Sequence, residues 1–143
     1  MIMYGTVKPK LIKDAELKIE APIESPQIGE SSSFTAKITS DTSYHTDFIL
    51  FELINERTDK RAPLDKVTSR SRYLYRHNID KDIDGGEEEY CFDIRIPMHK
   101  EASRNDKFIR IRWKLNSQVY LKKSSDDKEL LCVESTPLEV EVV

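Results

Sequence analysis

The chain has 143 residues and a mass of 16.7 kDa, the size of one domain with a substantial core. Its 23 basic and 26 acidic residues leave a net charge of −3, so no general positive charge favours nucleic acid or an acidic membrane as partner. There are only 4 glycines and no glycine-rich loop, which argues against the commonest nucleotide-binding classes. We expect a single domain over residues 1–143, with residues 1–10 loosely ordered.

The pattern of apolar residues and cysteines predicts a cytoplasmic protein. No apolar stretch follows the basic start of the chain, as a secretory signal would require. The longest apolar run, Phe48–Phe51, is far shorter than the roughly 18 residues of a membrane-spanning helix. Cys91 and Cys132 are too few for a disulfide framework and form no CxxC pair for zinc or redox chemistry. We expect two ordinary thiols on strands; a bridge would require that these strands face each other.

Apolar and polar residues alternate along much of the chain, which is the pattern of half-buried β-strands. In the clearest case, Ile109, Ile111, Trp113 and Leu115 alternate with basic or amide side chains. Further alternating runs cover 15–21, 34–38, 90–96 and 138–142, and weaker strand candidates cover 11–12, 73–75, 119–121 and 130–133. With an apolar central strand at 48–54, this predicts about eight or nine short strands.

The segments between these strands predict turns and loops. The polar residues 40–43 and Gly85-Gly86 indicate turns, while 55–72 and 97–107 are expected to be long loops. The only helix candidate, 99–106, has no apolar stripe and predicts one turn at most. Many strands and little helix predict an all-β fold, an antiparallel two-sheet β-sandwich of arrestin-like or immunoglobulin-like type. Periodicity alone leaves a closed barrel open as the alternative.

Four landmarks in order resemble one lobe of the arrestin-like family of sandwiches. These are Pro26–Glu30 before the strand at 34–38, the apolar strand at 48–55, the strand 90–96 ending at Pro97, and the strand 108–115. The resemblance covers roughly residues 15–143 and implies a sandwich fold with scaffold or adaptor work in the cytoplasm. The chain has one lobe where arrestins have two, and no residues match their buried charge cluster. Receptor binding is therefore not implied.

An acidic segment follows the middle of the chain. Asp80, Asp82 and Asp84 alternate before Gly85, as in the first half of a calcium-binding loop, where alternate carboxylates supply oxygen ligands. The position of the closing glutamate is occupied by Cys91, and a strand follows where a helix should begin. The alternatives are a calcium site on these three aspartates and a solvated acidic hairpin loop.

The segment just before it is strongly basic, with seven cations against two acids between Arg57 and Arg76. One interpretation is that it is neutralised by the acidic segment 80–89 across a hairpin. The other is a surface that receives an acidic or phosphorylated segment of another protein. Arg110, Arg112 and Lys114 add a second basic series, and nucleic acid becomes a candidate partner only if the two series are continuous. The candidate partner-binding residues are Arg57, Lys60, Arg61, Arg70, Arg72 and Arg76.

No motif nominates catalytic chemistry. His45, His77 and His99 are far apart and have no metal-ligand spacing, and no nucleophile-elbow sequence is present. We therefore predict a non-catalytic protein-interaction module with no cofactor. The alternatives are a calcium-binding or ligand-binding β domain that uses the Asp80–Asp84 segment, and an enzyme without a recognisable motif.

Overall fold

A computed structural model describes residues 9–61 and 66–143, and these residues form strands and no helix. The predicted all-β class is confirmed, and no helix of the described residues is long and apolar enough to cross a membrane. The eight strands are β1 (Lys10–Leu11), β2 (Ala15–Glu20), β3 (Ser31–Asp59), β4 (Lys66–Arg95), β5 (Arg104–Asn105), β6 (Ile109–Lys122), β7 (Leu131–Glu134) and β8 (Leu138–Val140).

The centre of the fold is a long antiparallel hairpin of β3 and β4, which pair from Ser31 with Arg95 to Asp59 with Lys66. The separate short strands predicted within each of these ranges are therefore parts of one continuous strand. The predicted turn at 40–43 is wrong: the register shifts there between Ser40 and Ser43, and the strand continues. A bulge bends and twists a strand without ending it, so polar residues at a bulge resemble a turn in the sequence.

The prediction of a long loop over 55–72 is also wrong. Residues 55–59 complete β3 and residues 66–72 begin β4, while 62–65 lie outside the described residues. The charged side chains in this range lie on a sheet surface, where alternate residues are solvated. The range 97–107, predicted as a loop, contains the two-residue strand β5, and of residues 1–10 only 9 and 10 are described, with Lys10 in β1.

The hairpin folds back on itself and builds two layers from one curled sheet. The first layer holds β2, the first half of β3 and the second half of β4; in the second layer, the other halves of the hairpin continue into β6 and its neighbours. The Tyr75 hydroxyl in the second layer donates to the Arg95 carbonyl in the first at 2.6 Å. The rings of Phe51 and Phe92 meet between the layers at 5.4 Å. All ladders are antiparallel except that of β1 with β7.

Alternating apolar side chains fill the space between the layers. Trp113 and Phe92 belong to this core, and the Trp113 indole donates to the Glu101 carbonyl at 3.0 Å. That bond fixes the loop after β4 over the end of the core. Cys91 is exposed and Cys132 is buried, and both are free thiols. The other large core side chains include Phe34, Ile38, Ile49, Phe51, Leu53, Ile94, Leu115, Val119 and Leu121.

Two glycines allow β4 to fold back at the corner between the layers. Gly85 and Gly86 have φ angles of +71° and +114°, and the second lies outside the region that L side chains adopt. We expect Gly86→Val to lower the free energy of unfolding by about 1–3 kcal/mol, because the backbone there is strained for a β-branched residue although the space is open. Gly85→Asn, at an angle that asparagine tolerates, is the matched control and should cost less. Urea unfolding measures both, and equal losses would contradict this explanation.

Candidate interaction surface

The two basic series predicted from the sequence lie on one surface, the face of the second layer that points away from the core. We call this the outer face. Glu56 of β3 pairs with Arg70 of β4 on one side and with Arg112 of β6 on the other. Because alternate residues share a face, Arg72 and Arg76 follow Arg70 on β4, and Arg110 and Lys114 flank Arg112 on β6. The two series are thus continuous across β3.

Strands of opposite charge alternate across this outer face. Arg70 donates to Glu56 through Nε at 3.1 Å and Nη2 at 2.7 Å. Arg72 holds Glu52 in the same way, with Nε at 2.8 Å from the carboxylate oxygen. On the far side of β6, Arg112 donates to Glu139 of β8 at 2.6 Å. The result is a row of cations on β4, anions on β3, cations on β6 and an anion on β8.

The two glutamates of β3 are buried beneath this surface. Glu52 is 5% exposed and also accepts a hydrogen bond from the Asn116 amide at 3.2 Å. The hydrogen bond from Arg70, followed by the nearby charges of Lys114 and Arg112, holds the pKa of Glu56 below its ordinary value. Glu56 is therefore charged, and the ion pairs of Glu52 and Glu56 with Arg72 and Arg70 neutralise β4 from within its own hairpin. The sequence hypothesis that segment 80–89 does so is not supported by these contacts.

Two cations of the outer face have no carboxylate within ion-pair distance in the described part of the chain: Arg110 and Lys114 of β6. The Arg110 Nε atom is buried and has no acceptor, and the buried Thr58 hydroxyl opposite it also has no partner. A cavity of about 530 Å³ opens beside Arg110, and its charged lining residues are three cations, Arg104, Arg110 and Arg112, and two acids, Glu139 and Glu141. Buried donors are normally paired, so this end of β6 is suited to receive an anionic group.

The other predicted partner-binding residues lie elsewhere. Arg57 donates to Glu101 at 2.8 Å on the opposite side of the sheet from Arg70. Lys60 donates to the Asp106 carbonyl at 2.9 Å, and Arg61 pairs with Asp59 beside the hairpin end. Arg76 is on the outer face, with its guanidinium 3.9 Å from the centre of the Phe48 ring. The six predicted residues therefore do not form one patch, and their role in partner binding stays a prediction.

The acidic segment lies within β4 and not in a loop; it follows the basic segment along the strand and pairs with the middle of β3, from Lys37 with Glu89 to His45 with Asp82. Asp80 and Asp82 accept hydrogen bonds from the two ring nitrogens of His45, at 2.8 and 2.7 Å, while Asp84 accepts a long one from Ser43. No group of three or more possible metal ligands is arranged as an ion site within the described ranges. The calcium prediction for these aspartates stays a prediction, and calorimetric titration with millimolar calcium tests it.

His45 makes stability depend on pH. The hydrogen bond to Asp82, opposed by burial and reinforced by Asp80, raises its pKa above the ordinary 6.5. The other charged neighbours are Lys122, paired with His45 in register, and Asp47, which lies 3.8 Å from Lys122. A raised pKa in the folded state gives stability that is full below pH 6.5 and is lost as the pH rises through the folded value.

We therefore expect the free energy of unfolding to fall between mildly acidic and mildly alkaline buffer, and His45→Gln to remove most of that dependence. Urea unfolding at a series of pH values measures it. His77→Gln is the control, since no carboxylate of the described residues lies within ion-pair distance of His77, whereas His45 has two. An equal slope in wild type and His45→Gln would show that other groups carry the pH dependence.

Comparisons with known proteins identify the fold. No family model and no curated protein matches the chain. Among solved structures, it is similar to Spo0M, the sporulation control protein of Bacillus subtilis, at a TM-score of 0.60 and 10% identity, over 92% of this chain and 50% of that one. A second similar structure is a β-glucosidase from Listeria innocua, with 16% identity and a TM-score of 0.35. This match covers 85% of this chain and 16% of the β-glucosidase. The chain thus spans about half the length of Spo0M, and the likeness to Spo0M shows that it has an arrestin-like fold.

Proposed function

We propose that this chain is a non-catalytic protein-interaction module, of scaffold or adaptor type, whose outer face binds an acidic or phosphorylated segment of another protein. The observation that supports this most directly is that Arg110 and Lys114 of β6 have no carboxylate within ion-pair distance in the described residues, and that Arg110 lines an open cavity. An arginine guanidinium can bind a phosphate or carboxylate with two parallel hydrogen bonds. Arg110 therefore supplies the anchor for the anionic group.

The alternation of charge across the outer face selects the kind of partner. A nucleic acid presents negative charge continuously and would bring phosphates against Glu139 on one side and the glutamates of β3 on the other. A peptide with one or two anionic groups can place them beside Arg110 and Lys114 alone. The face therefore favours a discrete anionic segment over a nucleic acid.

The free thiols and the fold agree with an intracellular regulatory role. Both cysteines are unpaired, which suits a reducing compartment, and we infer that the protein works in the cytoplasm. Spo0M is described as a sporulation control protein, and a regulatory role based on binding is our inference for this chain by analogy of fold alone. Since this chain spans about half the length of Spo0M, the activity of the whole Spo0M protein is not proposed for it.

Fluorescence anisotropy with a labelled peptide of alternating glutamate and valine, with and without a central phosphoserine, tests the proposal. We expect salt-sensitive binding, tighter for the phosphopeptide, and a loss of about tenfold or more in Arg110→Glu/Lys114→Glu. Lys18→Glu on β2 is the matched control, since Lys18 is an exposed lysine on the other layer. Equal affinity of the two variants, or no binding of either peptide, would overturn the proposed surface.

A further inference from the structure

The longest strand of the protein has one unpaired edge. β4 pairs with β3 along Lys66–Arg95, and no other strand of residues 9–61 and 66–143 pairs with it. Along the second layer its outward main-chain donors and acceptors can therefore bind a further strand. Most edge strands are short or interrupted; this edge is long and is interrupted by a bulge between Asn78 and Lys81, where Asp80 has a φ of +52°.

The charges along this edge are divided by sign. Residues 66–76 carry four cations and no acid, and the next part of the strand contains Asp80, Asp82 and Asp84 with a single lysine before the corner glycines. Each half of the edge repels a strand that carries charge of the same sign. The whole edge is complementary to the same edge running in the opposite direction, which is the requirement for an interface with two-fold symmetry.

We propose that the occupant is a second copy of this chain, paired antiparallel through β4 about a two-fold axis near His77. In that arrangement the cationic segment of each copy lies beside the aspartates of the other. The two second layers become one continuous sheet, and the two outer faces lie side by side. The proposal is independent of the peptide surface, because that surface is centred on β6.

The side chains that would meet across the axis are accessible. The side chains of Arg70 and Arg72 are 58% and 59% exposed, and those of Asp80 and Asp82 are 82% and 73% exposed. Each arginine uses Nε and Nη2 for its own glutamate, and its Nη1 makes no hydrogen bond to that glutamate. Leu74, near the axis, is 59% exposed and would be covered by the second copy.

Edge charges also protect proteins from aggregation, and this alternative makes a different prediction. A protective edge needs charges only to repel other strands, so reversing one half should leave the protein monomeric as before. If the two halves recognise each other, association should weaken with salt and should follow the complementarity of the charges.

Sedimentation equilibrium and light scattering over a range of protein and salt concentrations measure the association. We expect a mass of twice 16.7 kDa at low salt that decreases towards the monomer at high salt. Asp84→Lys disturbs only the long hydrogen bond from Ser43, so the fold remains intact, and it should raise the dimer dissociation constant by about tenfold or more. A wild-type monomer at every concentration, or a dimer unaffected by Asp84→Lys, would overturn the proposal.

Complementary reversal of charge gives the sharper test. One variant reverses the charge of the two arginines that would face Asp82 and Asp84 while preserving the buried hydrogen bonds: Glu52→Gln, Glu56→Gln, Arg70→Glu and Arg72→Glu. A second reverses the acidic half: His45→Gln, Asp82→Lys and Asp84→Lys. We expect each alone to be monomeric, with a folded circular dichroism spectrum, and their equimolar mixture to form a heterodimer in which both halves are again complementary. A mixture that stays monomeric would refute the two-fold pairing, while peptide binding at Arg110 would still be measurable.

Discussion

Trp113→Ala is expected to lower the free energy of unfolding by about 3–5 kcal/mol, which is a large part of the stability of a domain of this size. Trp113 is the largest fully buried side chain, and its removal leaves a cavity between the layers. The indole also donates to the Glu101 carbonyl, so the loop after β4 loses its attachment to the core. Urea unfolding followed by circular dichroism measures the loss.

Two control substitutions separate these contributions. Trp113→Phe keeps most of the volume but removes the indole donor, and we expect a loss of about 1–3 kcal/mol from the unpaired carbonyl and the residual cavity. Phe108→Ala removes an aromatic ring that is 49% exposed and should cost well below half of the Trp113→Ala value. If Phe108→Ala and Trp113→Ala were equally destabilising, the assignment of Trp113 to the core and of Phe108 to the surface would be wrong.

Arg72→Ala is the second substitution with a large expected effect, a loss of about 2–3 kcal/mol in the free energy of unfolding. The reason is the partner: Glu52 is buried beneath the outer face, and without Arg72 its charge keeps only the hydrogen bond from Asn116. Since the guanidinium is itself more than half exposed, the loss falls below that of a fully buried pair. Urea unfolding at neutral pH measures it.

The double substitution Glu52→Gln/Arg72→Ala tests this explanation. Neutralising the buried carboxylate should recover a substantial part of the loss, since an uncharged amide costs less to bury without a partner. Arg61→Ala removes an exposed pair with Asp59 and should change stability by about 0.5 kcal/mol or less. A double variant as unstable as the sum of the two single substitutions would show that Glu52 does not depend on Arg72.

The ion pairs of Arg70 with Glu56 and of Arg72 with Glu52 determine which substitutions can test the basic segment. Reversing the charge of Arg70, Arg72 and Arg76 together would place new carboxylates beside the buried Glu52 and Glu56. A loss of partner binding in such a variant would then reflect unfolding. Substitutions at Arg110 and Lys114, or at Arg70 and Arg72 with both glutamates changed to glutamine, avoid this ambiguity.

The inward positions and the class of fold could be predicted from alternation alone. Ile109 to Leu115 alternates without interruption, and Trp113 and Leu115 are fully buried as expected. The long hairpin could not be predicted, because the bulges at Ser40–Ser43 and Thr46–Phe48 shift the alternation and imitate turns. Gly85-Gly86 has the composition of a hairpin turn as well, although in the fold it forms a corner within one strand.

The arrangement of the charged residues could likewise be predicted only in part. Alternation predicts which side chains turn inward and that two basic series and one acidic series exist, because a strand exposes every second residue whatever it pairs with. The pairing of the strands was needed to show that Glu52 and Glu56 neutralise β4, that Arg70 and Arg112 flank the same carboxylate, and that the acidic segment pairs with the middle of β3. Cross-strand neighbours depend on register, and register is set by pairing between segments distant in the chain, which local periodicity does not record.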